Sequence, residues 1–430
     1  MRVAILGAGV IGVTTAYYLA KSGYKVSVFD RAPGSSQETS YANGIQLSYS
    51  HASPWAEPGV IPKIIKWFGD DEAPLVFRFK PDLSLMRWGL SFLKQSSSKH
   101  HLYNTASIWR LSSYSRSILH EFLAHESVEF DYLQKGILHI FQHQDELDNA
   151  IKQAQYQESL GCDYALLNRQ ACFEKEPILE QSPYPLAGAI YYPLDEVGNI
   201  FTFTQKVTDI CKTLGVTFHF NTTIESLHTQ QNRVVSMNTN QGVFDFDLYV
   251  VALSAYSGAL VRPLKIHLPI YPLKGYTLTI AVPENHPLPL PESSITDEAN
   301  KIVFSRLGNA LRVAGTAEVA GFDTSIQKKR IELMKKQTGD IFPAYQHLIH
   351  QPGAVQEWAC LRSSTPSGVP IIGQSSYSNL YLNTGHGSLG WTMAMGSAKI
   401  LHDLMVLGKS EIPSDTYAPQ KTHHSSQKSS

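Results

Sequence analysis

Three glycines near the start of the chain have the spacing of a dinucleotide site. They form a G-x-G-x-x-G run directly after the apolar residues 3–6. In such a run the first glycine permits a tight turn, the second lets the backbone approach a pyrophosphate, and the third allows a helix to pack closely on a strand. Asp30 follows Gly12 at close to the ~20-residue spacing that is expected of the carboxylate that binds the ribose. The residues predicted to hold the dinucleotide are Gly7, Ala8, Gly9, Val10, Ile11, Gly12, Asp30 and Arg31.

A second glycine-rich loop lies far along the chain, directly before a predicted helix from Trp391 to about Leu407. The N–H groups and dipole at a helix N-terminus favour negative charge, which a flavin ring gains on two-electron reduction. The first motif alone leaves NAD and FAD open, and the second loop favours FAD. The residues of this loop assigned to the cofactor are Gly385, Gly387, Ser388, Leu389 and Gly390.

The elements around these loops predict an α/β fold. Arg2–Leu6 and Lys25–Phe29 are predicted strands with a helix between them, and strands and helices alternate again after residue 187. We therefore expect a discontinuous Rossmann-type FAD-binding domain and an inserted α+β substrate domain with a mixed or antiparallel sheet. The predicted ranges are 1–80, 190–260 and 352–408 for the first domain, 81–189 and 261–351 for the second, and 409–430 for a disordered tail.

Composition excludes several classes of function. The 430 residues carry a net charge of −1 without a dense basic block, so no nucleic-acid partner is expected. The four cysteines are scattered, which predicts neither a disulfide nor a metal site. Because the first strand begins at Arg2, no signal peptide fits before it, and we expect the protein to stay in the cytoplasm.

Two segments, residues 61–68 and 83–93, mix large apolar side chains with Lys and Arg at helical spacing. Two interpretations remain open. Such helices commonly pack on their own protein, and they can also lie on a membrane surface, which here would be the inner face of the cytoplasmic membrane.

Longer runs of sequence resemble one known family. Residues 38–50 and 53–59 resemble the flavin loop of the small subunit of bacterial D-amino acid dehydrogenases, and residues 382–394 resemble the C-terminal signature of that family. Residues 313–323 and 361–366 match in the same order, so the resemblance spans about residues 1–408. It implies FAD, a fold like that of D-amino acid oxidase, and oxidation of a D-amino acid such as D-alanine to a 2-oxo acid and ammonia. Electrons would pass to a quinone or another respiratory acceptor.

The resemblance also implies roles for individual residues. The flavin would lie along Ser40, Asn43, Gly44 and Gln46, and Ile224 is assigned to the cofactor as well. The substrate would be held by Arg362, Tyr276 and Tyr49. Arginine suits a carboxylate because its planar fork binds both oxygens.

Hydride transfer to flavin N5 needs no acid or base from a side chain, so none is predicted to be catalytic. His51 and His386 are interpreted as structural. Alternatives to substrate binding remain open for two residues: Arg362 can instead lie at a domain interface, and Tyr276 can instead be a core residue.

Four positions depart from the family pattern. Ile45 and Ser254 stand where glycine is expected, and Asn199 and Ser367 replace aspartate. Three alternative functions also remain open. They are a glycine or sarcosine-type oxidase that uses oxygen, a flavin-binding module without catalysis, and a nicotinamide dehydrogenase.

Overall fold

The computed structural model describes residues 1–78, 82–285 and 289–420. The helices in these ranges are α1 (Val10–Lys21), α2 (Val60–Trp67), α3 (Leu83–Gln95), α4 (Ser98–His125), α5 (Gln144–Glu158), α6 (Arg169–Lys175), α7 (Ile200–Thr213), α8 (Ser257–Val261), α9 (Lys328–Ile341), α10 (Gln346–His350) and α11 (Gly390–Val406). Within the described ranges, no helix combines the length and the apolar character needed to cross a bilayer.

The strands fall into two large and two small sheets. In chain order they are β1 (Arg2–Leu6), β2 (Lys25–Phe29), β3 (Gln46–Leu47), β4 (Leu75–Phe77), β5 (Ile137–Phe141), β6 (Ala165–Leu167), β7 (Gly188–Tyr192), β8 (Glu196–Val197), β9 (Thr217–His219), β10 (Ile224–Gln230), β11 (Arg233–Thr239), β12 (Gly242–Phe244), β13 (Leu248–Val251), β14 (Tyr271–Ala281), β15 (Ser294–Asp297), β16 (Ile302–Leu307), β17 (Ala310–Val319), β18 (Val355–Ser364), β19 (Ile371–Gln374), β20 (Leu380–Thr384) and β21 (His386–Gly387).

The first large sheet, called here the parallel sheet, has the order β19-β20-β13-β1-β2-β9. Every neighbouring pair is parallel except β19 and β20. In β1 the residues Val3–Leu6 are fully buried, as expected for a central parallel strand that is covered on both faces. The strands β1 and β2 have the predicted bounds, and the predicted α/β class is confirmed.

The second large sheet, called here the mixed sheet, has the order β21-β18-β14-β17-β16-β15-β5-β7-β6, with β4 also paired to β17. Most pairs are antiparallel, and β15 runs parallel to β5. One face is covered by apolar side chains of α9 and α10 such as Met334 and Leu348. The other face is turned toward the loops that leave the parallel sheet.

Strand pairing moves several of the predicted domain boundaries. Residues 355–364 were expected in the dinucleotide domain, but as β18 they pair with β14 in the mixed sheet. Conversely α4, expected in the substrate domain, packs through Ile108 and Leu111 into the core around α1 and α11. Such pairings join segments far apart in sequence, so local periodicity does not reveal them.

The first part of the predicted tail is packed and not disordered. Tyr417 is 1% exposed, and its hydroxyl donates a hydrogen bond to the carbonyl of Ser107 on α4. The Tyr114 hydroxyl donates to Glu411. One buried aromatic thus holds a polar segment on α4. The rest of the predicted tail, residues 421–430, lies outside the described residues.

Candidate active site

A cavity of about 1500 Å³ lies between the loops of the parallel sheet and the exposed face of the mixed sheet. It brings together most of the residues that the sequence assigns to the site. Those that line it are Gly7, Gly9, Val10, Ile11, Asp30, Arg31, Ser40, Asn43, Gly44, Gln46, Ile224, Tyr276, Arg362, Gly387, Ser388, Leu389 and Gly390. Four assigned residues, Ala8, Gly12, Tyr49 and Gly385, are not part of this lining.

The first glycine run has the conformation that the motif requires. Gly7 has φ +113°, and a methyl group on it would lie 2.5 Å from the carbonyl oxygen of Ala252. A methyl group on Gly12 would lie 1.9 Å from the carbonyl oxygen of Gly7, so only glycine permits this helix to pack so closely on the turn. The backbone N–H of Ala8 donates to Asp30 at 2.7 Å and fixes the carboxylate beside the cavity.

The second glycine loop leads into the N-terminus of α11. Leu389 at the N-cap forms no side-chain hydrogen bond, so no side chain of the cap residue satisfies the first backbone N–H groups of the helix. The first residues of the helix, Gly390, Trp391 and Thr392, line the cavity. Gly385 has φ +81°, and a methyl group on it would lie 2.8 Å from Thr365. Gly385 and Gly12 therefore shape the loops without lining the cavity. The Oδ1 atom of Asn383, a buried cavity residue, has no hydrogen-bond partner within the described ranges.

Residues 43–46 cross the exposed face of the mixed sheet. Asn43 accepts a hydrogen bond from the N–H of Ile45 through Oδ1 and one from Arg312 through its carbonyl oxygen. Gln46 donates to the hydroxyl groups of Ser294 and Thr296 on β15. The loop is thus fixed to β15 and β17.

The structure explains two of the four departures from the family pattern, Asn199 and Ser367, and does not explain Ile45 and Ser254. Ile45 and Ser254, at expected glycines, have φ +56° and +51°, a strained conformation for both residue types. Asn199 caps α7 by accepting from the N–H of Thr202, and Ser367 accepts from the N–H of Val369. An aspartate accepts the same hydrogen bonds, so these two changes preserve the backbone.

Arg362 lies on β18 and points from the mixed sheet into the cavity. A methyl group on Gly275, in the neighbouring strand, would lie 2.6 Å from Nη2 of Arg362, so this glycine makes room for the guanidinium. No carboxylate forms an ion pair with Arg362 anywhere in the described part of the chain. Burial lowers the pKa of Arg362, although an arginine in a protein stays protonated. An unpaired, half-buried cation therefore faces the cavity.

The two assigned tyrosines direct their hydroxyls elsewhere. The hydroxyl of Tyr276 on β14 donates a hydrogen bond to Glu318 at 2.6 Å, on the face of the sheet that α9 covers. Side chains alternate between the two faces along a strand, and the neighbours Gly275 and Thr277 are on the cavity face. Tyr276 is fully buried and borders the cavity without offering it a free hydroxyl. Tyr49 is buried outside the lining and donates to Glu196 at 2.8 Å.

Two histidines that line the cavity, His386 and His51, have lowered pKa values because they are buried. Nε2 of His386 lies 3.0 Å from the hydroxyl of Ser397, and burial lowers the pKa of His386 to about 3. Burial likewise lowers the pKa of His51 to about 4. Both rings are therefore neutral at pH 7, and neither supplies an acidic proton to a substrate at Arg362.

The sequence did not single out a group of side chains around His51. We call His51, His139, Glu298 and Lys301 the histidine cluster; all four line the cavity. Nδ1 of His139 lies 2.6 Å from Oε1 of Glu298, and Nζ of Lys301 lies 2.5 Å from Oε2. No motif marks them, because they come from three separate segments.

Glu298 and the two histidines each place one possible ligand atom within 4.8 Å of the others. The ammonium of Lys301 already neutralises Glu298, so we assign no metal to this group.

The cavity fits FAD as a whole. The turn at Gly7 and the start of α1 suit a pyrophosphate, Asp30 suits the ribose hydroxyls, and the start of α11 suits the electron-rich edge of a flavin. A single continuous cavity joins these three places.

Comparisons with known proteins agree with this geometry. The model of the family of FAD-dependent oxidoreductases named DAO matches residues 2–404. D-amino acid dehydrogenase from Allorhizobium ampelinum is 40% identical over 412 residues, which cover 96% of this chain and 96% of that protein. D-amino acid dehydrogenase from Dechloromonas aromatica is also 40% identical, over 94% of this chain and 97% of that protein.

Solved structures share the fold at lower identity. Glycine oxidase from Geobacillus kaustophilus has a TM-score of 0.75 at 18% identity and covers 98% of this chain and 99% of its own. L-proline dehydrogenase from P. horikoshii has a TM-score of 0.70 at 17% identity and covers 97% and 96%. On the family match over residues 2–404 and the near full-length relatives, this chain belongs to the DAO family of FAD-dependent oxidoreductases.

Proposed function

We propose that this protein oxidises a D-amino acid such as D-alanine to a 2-oxo acid and ammonia, and that the electrons pass to a quinone. Relatives 40% identical over nearly the whole chain carry the name D-amino acid dehydrogenase, which supports this reaction. The observation that carries the proposal is Arg362. Its unpaired guanidinium faces the cavity and suits the α-carboxylate that every amino acid has.

The residues of the chain bind and orient the substrate. Arg362 holds the carboxylate in bidentate fashion, and Gly275 leaves the space that the guanidinium occupies. Bound FAD supplies the chemistry by accepting the hydride from Cα. Fixing the carboxylate restricts where the Cα–H bond points, which is the main contribution the protein makes to such a step.

The atoms balance without an acidic or basic side chain. The amino acid loses the hydride and one proton from its amine and becomes an imino acid. Water then adds to the imine carbon, and ammonia leaves. An amine that binds in its neutral form becomes an iminium when the hydride leaves, and the iminium can lose its proton to solvent. Burial lowers the pKa values of His51 and His386 to about 4 and about 3, so both are weak bases and neither is assigned this proton.

The proposal is tested by mixing oxidised holoenzyme with D-alanine or L-alanine in the absence of oxygen. Loss of flavin absorbance measures the reduction, and assays of pyruvate and ammonia identify the products. A flavin-binding module without catalysis keeps its oxidised spectrum with every amino acid.

The acceptor is a separate part of the proposal. The relatives are named dehydrogenases, whereas glycine oxidases share the fold at 18–22% identity. We propose that a quinone is the acceptor in this protein. Rapid peroxide formation under air, at the rate measured with a quinone, would instead identify an oxidase.

We also propose that α2 and α3 rest on the inner face of the cytoplasmic membrane. The apolar side chains exposed there, called here the apolar face, are Ile61, Ile65, Phe68, Leu83, Met86, Leu90 and Leu93. Only a few residues of this region, such as Val60 and Phe92, are buried against the protein. Lys63 and Lys66 stand among the apolar residues of α2, and Arg87 and Lys94 stand on α3. Apolar and basic residues together suit the anionic headgroups and acyl chains of a bilayer surface.

A further inference from the structure

Thr316 on β17 carries a hydroxyl group that no hydrogen bond of the described structure uses. Thr316 is 4% exposed and lines the cavity, and its Oγ1 has no hydrogen-bond partner within the described ranges. Its backbone has φ +54°, which is an outlier for a β-branched residue. Strained backbone and unpaired buried polar atoms are features that proteins retain at ligand sites. The hydroxyl is therefore free to form a hydrogen bond with a molecule in the cavity.

A β-bulge gives Thr316 its place in the cavity lining. The pairing of β14 with β17 shifts between positions 274 and 276, where two residues of β17, Thr316 and Ala317, lie opposite the single residue Gly275. A bulge of this kind inserts one extra residue into a strand, redirects its side chains and is common next to active sites. Both Thr316 and Ala317 consequently line the cavity.

Thr316 and Arg362 lie on opposite sides of Gly275. Strand β14 lies between β18, which carries Arg362, and β17, which carries Thr316. The guanidinium of Arg362 lies over Gly275, since a methyl group on this glycine would be 2.6 Å from Nη2. Neighbouring strands are about 4.8 Å apart, so Thr316 is one strand step away from the residue that the guanidinium covers. A carboxylate bound to the guanidinium above β14 would come within reach of the Thr316 hydroxyl.

Strand β17 also connects Thr316 to the predicted flavin loop. Ala314 lies two residues before Thr316, and a methyl group on Gly44 would be 3.2 Å from Cβ of Ala314. Two residues of a strand span about 7 Å. Thr316 therefore lies between the loop at Gly44 and the guanidinium of Arg362. An amino acid that presents its Cα to the cofactor must extend through this space.

We propose that the hydroxyl of Thr316 donates a hydrogen bond to the α-carboxylate of the substrate, so that Thr316 and Arg362 hold the carboxylate from two sides. This inference rests on the proposed function, in which an amino acid binds at Arg362. A threonine hydroxyl donates one hydrogen bond, and a carboxylate accepts several. The guanidinium alone lets the substrate pivot about the two nitrogens that bind it. A second contact from another strand removes this freedom and fixes the direction of the Cα–H bond.

The inference is tested by calorimetric titration of the oxidised holoenzyme with propionate, which has the carboxylate of alanine and no amino group. Thr316→Val keeps the β-branched shape and removes the hydroxyl, so we expect Kd for propionate and KM for D-alanine each to rise about tenfold. Thr316→Ser keeps the hydroxyl and should stay within about threefold of the wild type. Thr229→Val, at an exposed threonine of β10, is the matched control and should bind propionate like the wild type.

A second variant covers the case in which Thr316→Val fails to fold or loses FAD. Glycine adopts φ +54° without strain, so Thr316→Gly should keep its cofactor and unfold at a guanidinium concentration close to that of the wild type. Its Kd for propionate should still rise about tenfold. A threonine that serves only the fold would give the opposite result, lower stability with unchanged binding of propionate.

An unchanged Kd for propionate in the folded variants would overturn the inference. Weaker binding of D-alanine alone would also overturn it, because the hydroxyl would then contact the amino group. Absence of propionate binding by the wild type would do the same. A failure of the proposed function looks different. If no D-amino acid reduces the flavin, the proposed function is wrong, whereas the propionate titration still reports whether Thr316 and Arg362 bind a carboxylate.

Discussion

At the scale of single residues, the central feature is a cation that has no counterion in the described structure. Most arginines of a protein are exposed or paired, whereas Arg362 is half-buried beside a glycine that leaves it room. The sequence predicted its role through the family resemblance. The sequence did not reveal which face of β14 carries Tyr276, because the phase of the alternation is fixed only when the strands pair.

Replacing Arg362 by methionine should weaken substrate binding and leave FAD in place. Loss of a charged bidentate contact costs about 3 kcal/mol, so we expect KM for D-alanine to rise about 100-fold. Steady-state kinetics with a dye acceptor measures this, and flavin absorbance reports the cofactor content. Arg306→Met, at an exposed arginine of β16, is the control. A KM within about threefold of the wild type would remove Arg362 from the substrate site.

His386 should make the protein less stable in acid. The folded pKa of about 3 lies below the unfolded value of 6.5, so its contribution is complete above pH 6.5 and is lost as the pH falls toward 3. The expected slope is up to about 1.4 kcal/mol per pH unit. His386→Gln should remove this part of the slope in guanidinium unfolding measured at pH 7.5 and pH 5.5. Equal slopes for variant and wild type would show that His386 does not stay neutral in the folded protein.

At the scale of elements, local sequence patterns predicted the bounds of several strands but not which distant segments they pair with. The bounds of β1, β2 and β11 match the prediction, because apolar runs between turn residues mark a strand. The positions of β18 and α4 were not predicted correctly, since their partners lie in distant segments. The histidine cluster was missed for the same reason. It assembles only when β5 and β15 pair side by side.

The turn between β1 and α1 gives a sharp test of cofactor binding. Gly12→Ala places a methyl group where the Gly7 carbonyl oxygen now lies, so α1 must move away from the pyrophosphate position. We expect the purified protein to contain little or no FAD, as measured by absorbance. Gly89→Ala, in α3 with open space around it, is the control and should stay yellow. Stoichiometric FAD in Gly12→Ala would contradict the role given to this turn.

At the scale of the whole molecule, one cavity extends from the site at Arg362 to residues of α2 and α3 such as Ile64 and Phe92, and the same two helices carry the apolar face. The sequence predicted two amphipathic helices and left their partner open. The structure leaves Ile65 and Leu90 each about 70% exposed on these helices. An arrangement with substrate at one end and a membrane at the other would let water-soluble amino acids and lipid-soluble acceptors use different routes.

Binding to vesicles tests this arrangement. The double variant Ile65→Glu and Leu90→Glu removes two apolar contacts of about 2 kcal/mol each, so sedimentation with anionic phospholipid vesicles should fall more than about tenfold. Val243→Glu alters an equally exposed apolar residue on β12 and should bind like the wild type. If the double variant binds vesicles as well as this control, the apolar face does not contact the membrane.

The most direct test of the proposed function is anaerobic reduction of the oxidised holoenzyme by the two enantiomers of alanine. We predict that D-alanine removes the flavin absorbance and yields one pyruvate and one ammonia per FAD. L-alanine should react at least about 100-fold more slowly, because the carboxylate held by Arg362 leaves only one enantiomer with its Cα–H bond directed at the cofactor. Failure of every D-amino acid to reduce the flavin, or equal rates with both enantiomers, would contradict the account.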